Sequence, residues 1–539
     1  HLFHHETGIY VNADGHGRAW ERECSVELIH PDGSEGFGVN AGLRIRGGWS
    51  RHPDFPKHAF RLFFRSEYGD PKLYFPLFGE EGIDRFDKID LRTAQNYAWS
   101  NGLDHNTFLR DVFSRDLQRD MEQPYTRSRY YHLYLNGMYW GLFQTQERSE
   151  ARFAADYLGG KTENYDVVKV NTENWAYRIE ATDGDLSSWY ELWDMCQAGF
   201  QSNSAYFKLL GRDEQGKPVT GGQIYLDMDN LIDYMLGIFY TGNFDAPTST
   251  FGGNKGPNNF YAIDNREDRS RGFTFYNHDA EHSLIAEVVE PGTGLNEDRV
   301  NLIKRGDGNN MMVTNFSAFH PQWLHHKLSF NEEYKLRFMD RAHLHLGGKG
   351  ALSEEACLER LESRARVIDK AIIAESARWG DARPWINTPF NRNEHWEPEV
   401  DKIKNDFFPF RTEIVIKQLD EAGLYTVLEP PVSYFNSELV TTNRLYLEGR
   451  ATLRMENKNS EGQIFYTLNG SDPRQAGGGV SPDALWTTDP KTLIRLHSSA
   501  VVNARILFDG DWSALTHLDV LSDQDDFSKL ALTELHYHP

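Results

Sequence analysis

Residues 130–146 read YYHLYLNGMYWGLFQTQ: two aromatic-rich runs, YYHLYL (130–135) and YWGLFQTQ (139–146), joined through Asn136-Gly137. Asparagine and glycine both tolerate the positive φ of a tight two-residue turn, so the segment predicts a β-hairpin. Upstream the texture is the same. SVELIH (25–30) is followed by a Pro-Asp-Gly turn, and GLRIRGG (42–48) and HAFRLFFR (58–65) alternate apolar and basic residues, which predicts adjacent strands. Downstream the period changes from two to that of a helix. YLDMDNLIDYMLGIFYTGN (225–243) places apolar residues near i, i+3, i+4 and i+7, and residues 352–378 are similarly periodic. Strands followed by helices predict an α+β fold for the first part of the chain.

A chain of 539 residues is too long for one core and predicts two or three domains. Near residue 424 the helical period stops at EPPVSYFN, a two-proline break typical of linkers, so a first domain is assigned to 1–425. Beyond it RLYLEG, ATLRMEN, GQIFYTL and VVNARILF are short alternating runs separated by turn residues, predicting an appended all-β sandwich over 435–522. Lys+Arg 57 against Asp+Glu 80 gives a net charge of -23. That excess argues against a general nucleic-acid or anionic-membrane binder, since both need a basic surface. No run approaches the roughly 18 apolar residues of a membrane-spanning helix. Three widely spaced cysteines, Cys24, Cys196 and Cys357, form no CxxC pair and predict buried thiols rather than disulfides or a zinc site. The opening His1-Leu2-Phe3-His4-His5 has neither Met nor signal-peptide features, which reads as an excised or mature form.

Two constellations carry chemistry. The first is acidic. Asp245 follows the apolar helix on a loop, where a base or metal ligand is expected, and Asn258-Asn259 lie shortly after it. Strand FTFYN then leads into His278-Asp279-Ala-Glu281-His282. The hard oxygens of Asp245, Asn259, Asp279 and Glu281 suit magnesium or calcium better than zinc, while the histidines would support a transition metal. The plain structural alternative is that Asp245 caps a turn and Asp279 pairs with an arginine. The second constellation is basic. Arg44 and Arg46 share a strand face that runs into Gly47-Gly48 and Ser50, with Lys57 and Arg61 close behind. Guanidinium forks and turn N–H groups suit a phosphate, although these arginines would equally serve to pair surface acids.

The motifs together resemble the CotH-type kinase family, named after spore coat protein H. The matching runs are GLRIRGGWSR (42–51), PKHAFRLFFRSEYG (56–69), KIDLRTA (88–94), FLRDVFSRDL (108–117), YLNGMYWGLFQTQER (134–148), GNFDAP (242–247), NNFYAI (258–263), FTFYNHDAEHSL (273–284) and ESARWGD (375–381). The resemblance implies a divergent protein-kinase-like fold and ATP- and Mg²⁺-dependent transfer of phosphate to Ser or Thr hydroxyls of a protein, with Ca²⁺ or Mn²⁺ as alternative ions. It implies Asp245 as the catalytic aspartate, Asp279 as the metal ligand with Asn259 and Glu281, and Arg44, Arg46, Ser50, Lys57 and Glu147 toward the nucleotide. Phosphoryl transfer asks mainly for positioning and charge neutralisation, which two carboxylates and a set of cations supply. Two departures stand out: Ala246 replaces the family's usual Trp, followed by an inserted STFGGNKGP (249–257), and Asn277-His278 stands where a Trp usually precedes Asp279.

FYTLNGSDPR (465–474) with Trp512-Ser513 resembles the small β-sandwich appended to chitobiases, an immunoglobulin-like module for which a glycan is a possible ligand. LALTELHYHP (530–539) resembles the opening strand of a lamin-tail-type domain, assigned to 528–539. Such companions imply a piece of a larger secreted or cell-surface bacterial protein. Two other functions fit the same residues: a non-catalytic surface or matrix protein that binds a glycan or polyanion through the inherited pocket, and a metal-dependent hydrolase built on HDAEH.

Overall fold

The computed structural model describes residues 2–172, 176–289, 293–302 and 313–523. The hairpin forms as its turn residues dictate. β7 (Ser128–Leu135) and β8 (Met138–Gln146) pair antiparallel, with Asn136 at φ 51 and Gly137 at φ 81 between them. They close one side of a six-stranded sheet that also holds β1 (Arg22–Leu28), β2 (Phe37–Arg46), β3 (Ala59–Phe63) and β6 (Lys88–Arg92), in the order β1-β2-β3-β6-β8-β7. Between β3 and β6 runs a small hairpin of β4 (Leu73–Tyr74) and β5 (Arg85–Phe86). A second sheet, ordered β10-β9-β11-β12, is built from β9 (Tyr165–Asn171), β10 (Arg178–Asp183), β11 (Phe260–Asn265) and β12 (Thr274–Asn277).

The predicted helix is α5 (Met228–Thr241), preceded in the chain by α1 (Arg110–Asp120), α2 (Ala151–Leu158), α3 (Ser187–Ala198) and α4 (Asn203–Leu209). The Asp227 side chain caps α5 by accepting from the Asn230 N–H, and Gly242 at φ 62 ends it in the left-handed conformation that glycine adopts without strain. Every residue of α5 except Asp229 is buried. A fully buried Leu, Ile or Phe contributes roughly 1.5–3 kcal/mol by leaving water, so this helix anchors the largest core. Around it pack α6 (Pro321–Leu328), α7 (Glu332–Leu346), α8 (Glu354–Ile368), α9 (Ala371–Trp379) and α11 (Phe408–Glu421), with α10 (Glu397–Lys402) beside them. The periodic stretch 352–378 is two helices rather than one, α8 and α9.

Residues from Val432 onward form a module with two sheets. One is ordered β14-β13-β16-β19, with β13 (Val432–Phe435), β14 (Glu438–Leu439), β16 (Ala451–Glu456) and β19 (Lys491–Leu496). The other is ordered β15-β22-β20-β17-β18, with β15 (Arg444–Leu447), β17 (Gln463–Thr467), β18 (Leu485–Thr487), β20 (Ala500–Phe508) and β22 (Thr516–Ser522); β21 (Asp511–Trp512) pairs with β20. Leu453, Met455 and Ile494 of the first share a core with Ile464, Val502, Ile506 and Leu518 of the second. Residues 528–539, expected to open a further domain, lie outside the described residues. Cys196 and Cys357 are buried, Cys24 is half-buried, and all three are free thiols. No helix among the described residues is long and apolar enough to cross a membrane.

Candidate active site

The two sheets of the N-terminal part and the loop after α5 enclose a cleft of about 1430 Å³. Among the described residues nine lysines and arginines line it against six acidic residues, an inversion of the chain's net charge of -23 that marks it for an anionic ligand.

The cationic wall follows from strand alternation. Arg44 and Arg46 are two apart on β2 and share a face, and register places Arg61 of β3 opposite Arg44. Each has an acidic partner. Arg44 donates from Nε to Glu21 Oε2 at 2.8 Å, and Arg46 Nε lies 2.8 Å from Asp90 Oδ2, which also accepts from Arg61 Nη2 at 2.9 Å. Two guanidinium groups thus share one buried carboxylate, leaving net positive charge toward the cleft. Burial favours the neutral acid at Asp90, but Arg61 and Arg46 outweigh it and hold the carboxyl well below its ordinary range. Arg148, just past β8, is 3.6 Å from Glu150 and keeps a buried Nε with no hydrogen-bond acceptor among the described residues. Lys169 of β9 pairs with Glu180 at 2.8 Å. The phenol of Tyr261 on β11 reports the summed field. Burial alone would raise its pKa, yet Arg148, Lys169, Arg61 and Arg46 together bring it below the ordinary tyrosine value.

Across the cleft stands Asp245. Its Oδ2 accepts from Asn259 Nδ2 at 2.8 Å and its Oδ1 accepts from the Ser249 hydroxyl, while Asn258 Nδ2 donates to its backbone carbonyl at 3.0 Å. Burial, aided by the charge of Asp279, pushes the carboxyl up to about 7 against the hydrogen bond from Ser249. A carboxyl poised near neutrality is suited to exchange a proton. Asp279, at φ 55 just past β12, behaves oppositely. Burial raises it, but Arg92 and His278 prevail and keep it ionised. Arg92 Nη2 donates to Asp279 Oδ1 and to Glu281 Oε1, the latter at 2.9 Å. The other Glu281 oxygen accepts from the Gln95 and Asn96 N–H groups at 3.2 and 2.7 Å. Asp111 of α1 fixes the same loop from behind by accepting from the Ala280 N–H at 3.0 Å.

Arg44, Arg46, Ser50, Lys57, Asp245, Asn259, Asp279 and Glu281 therefore line one cleft. Their states differ from the sequence expectations in three places. Glu147 does not line it: its carboxylate accepts from the Arg127 N–H and guanidinium and from the Tyr157 hydroxyl, and its neighbour Arg148 reaches the cleft instead. Lys57 Nζ is committed at 2.7 Å to Glu375, both side chains almost wholly buried, and to the Leu142 carbonyl at 2.9 Å. Glu281 and Asp279 both hold Arg92, and among the described residues no group of three or more His, Cys, Asp or Glu is arranged to hold a metal ion. Asp279 with its arginine realises the pairing that the sequence left as the structural alternative, whereas Arg44 and Arg46 pair with buried acids, Glu21 and Asp90, rather than with surface ones. Arg92, Arg148, Lys169 and Tyr261 were missed. Arg92 and Arg148 sit inside the quoted KIDLRTA and QTQER runs, Arg148 next to Glu147.

The family model described as "CotH kinase protein" matches residues 43–415. No curated protein matches the chain. Among solved structures, Pseudomonas fluorescens alkylpurine DNA glycosylase AlkC, bound to DNA containing an abasic site analog, is 11% identical over 41% of this chain and 90% of that one, with a TM-score of 0.09. A likeness of that size carries no argument about fold or function.

Proposed function

The chain belongs to the CotH kinase protein family, and from that premise we propose that the cleft binds Mg²⁺ and ATP and transfers the γ-phosphate to a Ser or Thr hydroxyl of a protein. One observation carries the reading. A single cleft holds a carboxyl raised to about 7, Asp245, beside an ionised one, Asp279, and faces both toward a cation cluster. Two carboxylates whose surroundings push them apart divide the work of proton acceptor and charge partner.

The donor set fits these groups. The Asp279 side chain is 37% exposed and offers a hard oxygen, and Asn259 stands next to Asp245 with an amide oxygen. Those two would hold the cation, with Ca²⁺ or Mn²⁺ as substitutes, while Arg46, Arg61, Arg148 and Lys169 would hold phosphate oxygens. Bound magnesium supplies charge neutralisation for the phosphates. The chain's own part is positional. Asn259 and Ser249 fix the Asp245 carboxylate, which orients the acceptor hydroxyl and takes its proton as the oxygen bonds to phosphorus and ADP departs. Tyr261 and the surrounding guanidinium groups keep the phosphates in line.

A second reading is favoured by the Arg92 pairs with Asp279 and Glu281: a pocket of this family that binds a polyanion or glycan without transfer. Calorimetric titration of Mg-ATP separates the two. The kinase reading predicts binding that requires the divalent ion and falls at least about tenfold in Asp279→Ala, the loss of one charged contact. Binding that is indifferent to magnesium, and unchanged or tighter in Asp279→Ala because Arg92 is released, would establish the second reading instead.

A further inference from the structure

The inserted residues 249–257 are held by their own turns and by a buried cation. Arg299, fully buried, donates to the Thr248 carbonyl and hydroxyl at 2.8 and 3.0 Å, to the Thr250 hydroxyl at 3.0 Å and to the Asn254 side-chain oxygen at 3.0 Å. The loop pairs Thr248 with Pro257 across its base. Held this way, it forms one wall of a second groove of about 350 Å³, which opens beside the cleft and shares Tyr177 and Ser249 with it. Ser249 is the residue whose hydroxyl bonds Asp245, and the Asp245 charge also acts, after burial, to raise the Tyr177 phenol. The groove therefore comes within one side chain, Ser249, of the carboxylate proposed to take the acceptor's proton.

The chemistry of its lining is one-sided. Lys255 and Arg178 are exposed along it with hydroxyl and amide groups of Ser249, Asn315 and Ser317 between them, and no carboxylate lines it among the described residues. Neither Lys255 nor Arg178 has an ion-pair partner among the described residues, unlike Arg44, Arg46, Arg61 and Arg92 of the cleft. In a chain with 80 acidic residues, a groove whose described lining carries two cations and no acid selects negative charge.

We propose that this groove is the acceptor site and that it takes an acidic peptide, with Lys255 and Arg178 on carboxylates flanking the Ser or Thr that reaches Asp245. The proposal rests on the phosphotransfer reading but is tested apart from it. A fluorescein-labelled peptide with one serine between glutamates is titrated by anisotropy without nucleotide, against the same peptide with lysines and with alanines. The acidic peptide binds about tenfold tighter than the lysine peptide, the size expected of two charged contacts, with the affinity falling as salt rises. Arg178→Glu/Lys255→Glu reverses that order, and Lys255→Ala weakens acidic binding in the same direction by a smaller factor. Unfolding midpoints measured alongside show that both variants are folded. Equal affinities for the three peptides, or an order untouched by charge reversal, overturn the proposal. So does a polyuronate that binds the groove more tightly than the acidic peptide, which would make the ligand a polysaccharide. Peptide preference with no Mg-ATP binding would sink the kinase reading alone, and phosphate transfer without acidic preference would sink this one alone.

Discussion

Asp245 shows what burial does to a single residue. In the unfolded chain its carboxyl titrates near 3.8; in the fold it titrates at about 7. Between those values the folded state holds a proton that the unfolded state has released, so stability contributed by this group falls as pH rises through about 7. Asp245→Asn removes the charge and with it the penalty. A shift of this size is worth at most ~4 kcal/mol, and partial exposure with lost hydrogen bonds halves it, so the variant should gain about 2 kcal/mol over the native chain at pH 8 and little at pH 4 in urea unfolding. A stability difference independent of pH would contradict the burial argument. On the chemical side, the same substitution should lower phosphate transfer by about 10²- to 10⁴-fold, the range of a lost general base. At this scale the sequence was informative about identity and silent about state. Asp245 and Asp279 stood out on their loops, but whether each would be protonated depended on burial and on Arg92 beside Asp279, which no local pattern announces. The state of Lys57 was illegible for the same reason: its partner Glu375 is 318 residues away.

The Gly47-Gly48 turn after β2 decides how the cationic strand meets the cleft. Gly47 sits at φ +119, and a Cβ there would lie 1.9 Å from Ser50 Oγ. Gly47→Ala must therefore move Ser50 as well as strain the backbone. We expect it to weaken Mg-ATP binding about tenfold while costing only ~1–2 kcal/mol of stability. Gly510→Ala, at φ +93 with nothing near its Cβ, is the control for strain alone and should leave binding as it is. If both alanines behave alike, the turn has no part in the site. Elements were the most legible level in the sequence. The Asn136-Gly137 hairpin and helix α5 are fixed by turn chemistry and periodicity within a few residues. Their assembly was not, because β3 and β6 meet through pairs such as Arg61 with Asp90, which a linear pattern does not announce.

For the molecule as a whole, the β-module is fastened to the helical body by buried charge. Arg505 of β20, with its side chain 2% exposed, donates to both oxygens of Asp340 on α7 at 2.7 and 2.8 Å and to Asp472 at 2.6 Å. Arg474 pairs with Glu333 of the same helix at 2.7 Å. Removing one partner of such a pair leaves the other charge buried. Arg505→Ala should cost about 3–5 kcal/mol and split calorimetric unfolding into separate transitions for module and body; a single unshifted transition would show that the contact contributes nothing. The sequence marked a break near residue 424 but gave no sign of this attachment, since its partners come from opposite sides of the linker. The cleft itself depends equally on distant parts, from β2 to the loop after β12. The most direct test of what it does is transfer of label from γ-³²P-ATP with magnesium to the chain itself or to a serine peptide, followed by identification of the labelled residue. The proposed function predicts phosphoserine or phosphothreonine in the native protein and none in Asp245→Asn or Asp279→Ala. Label in neither substrate, with Mg-ATP bound, would show a pocket that holds the nucleotide and transfers nothing.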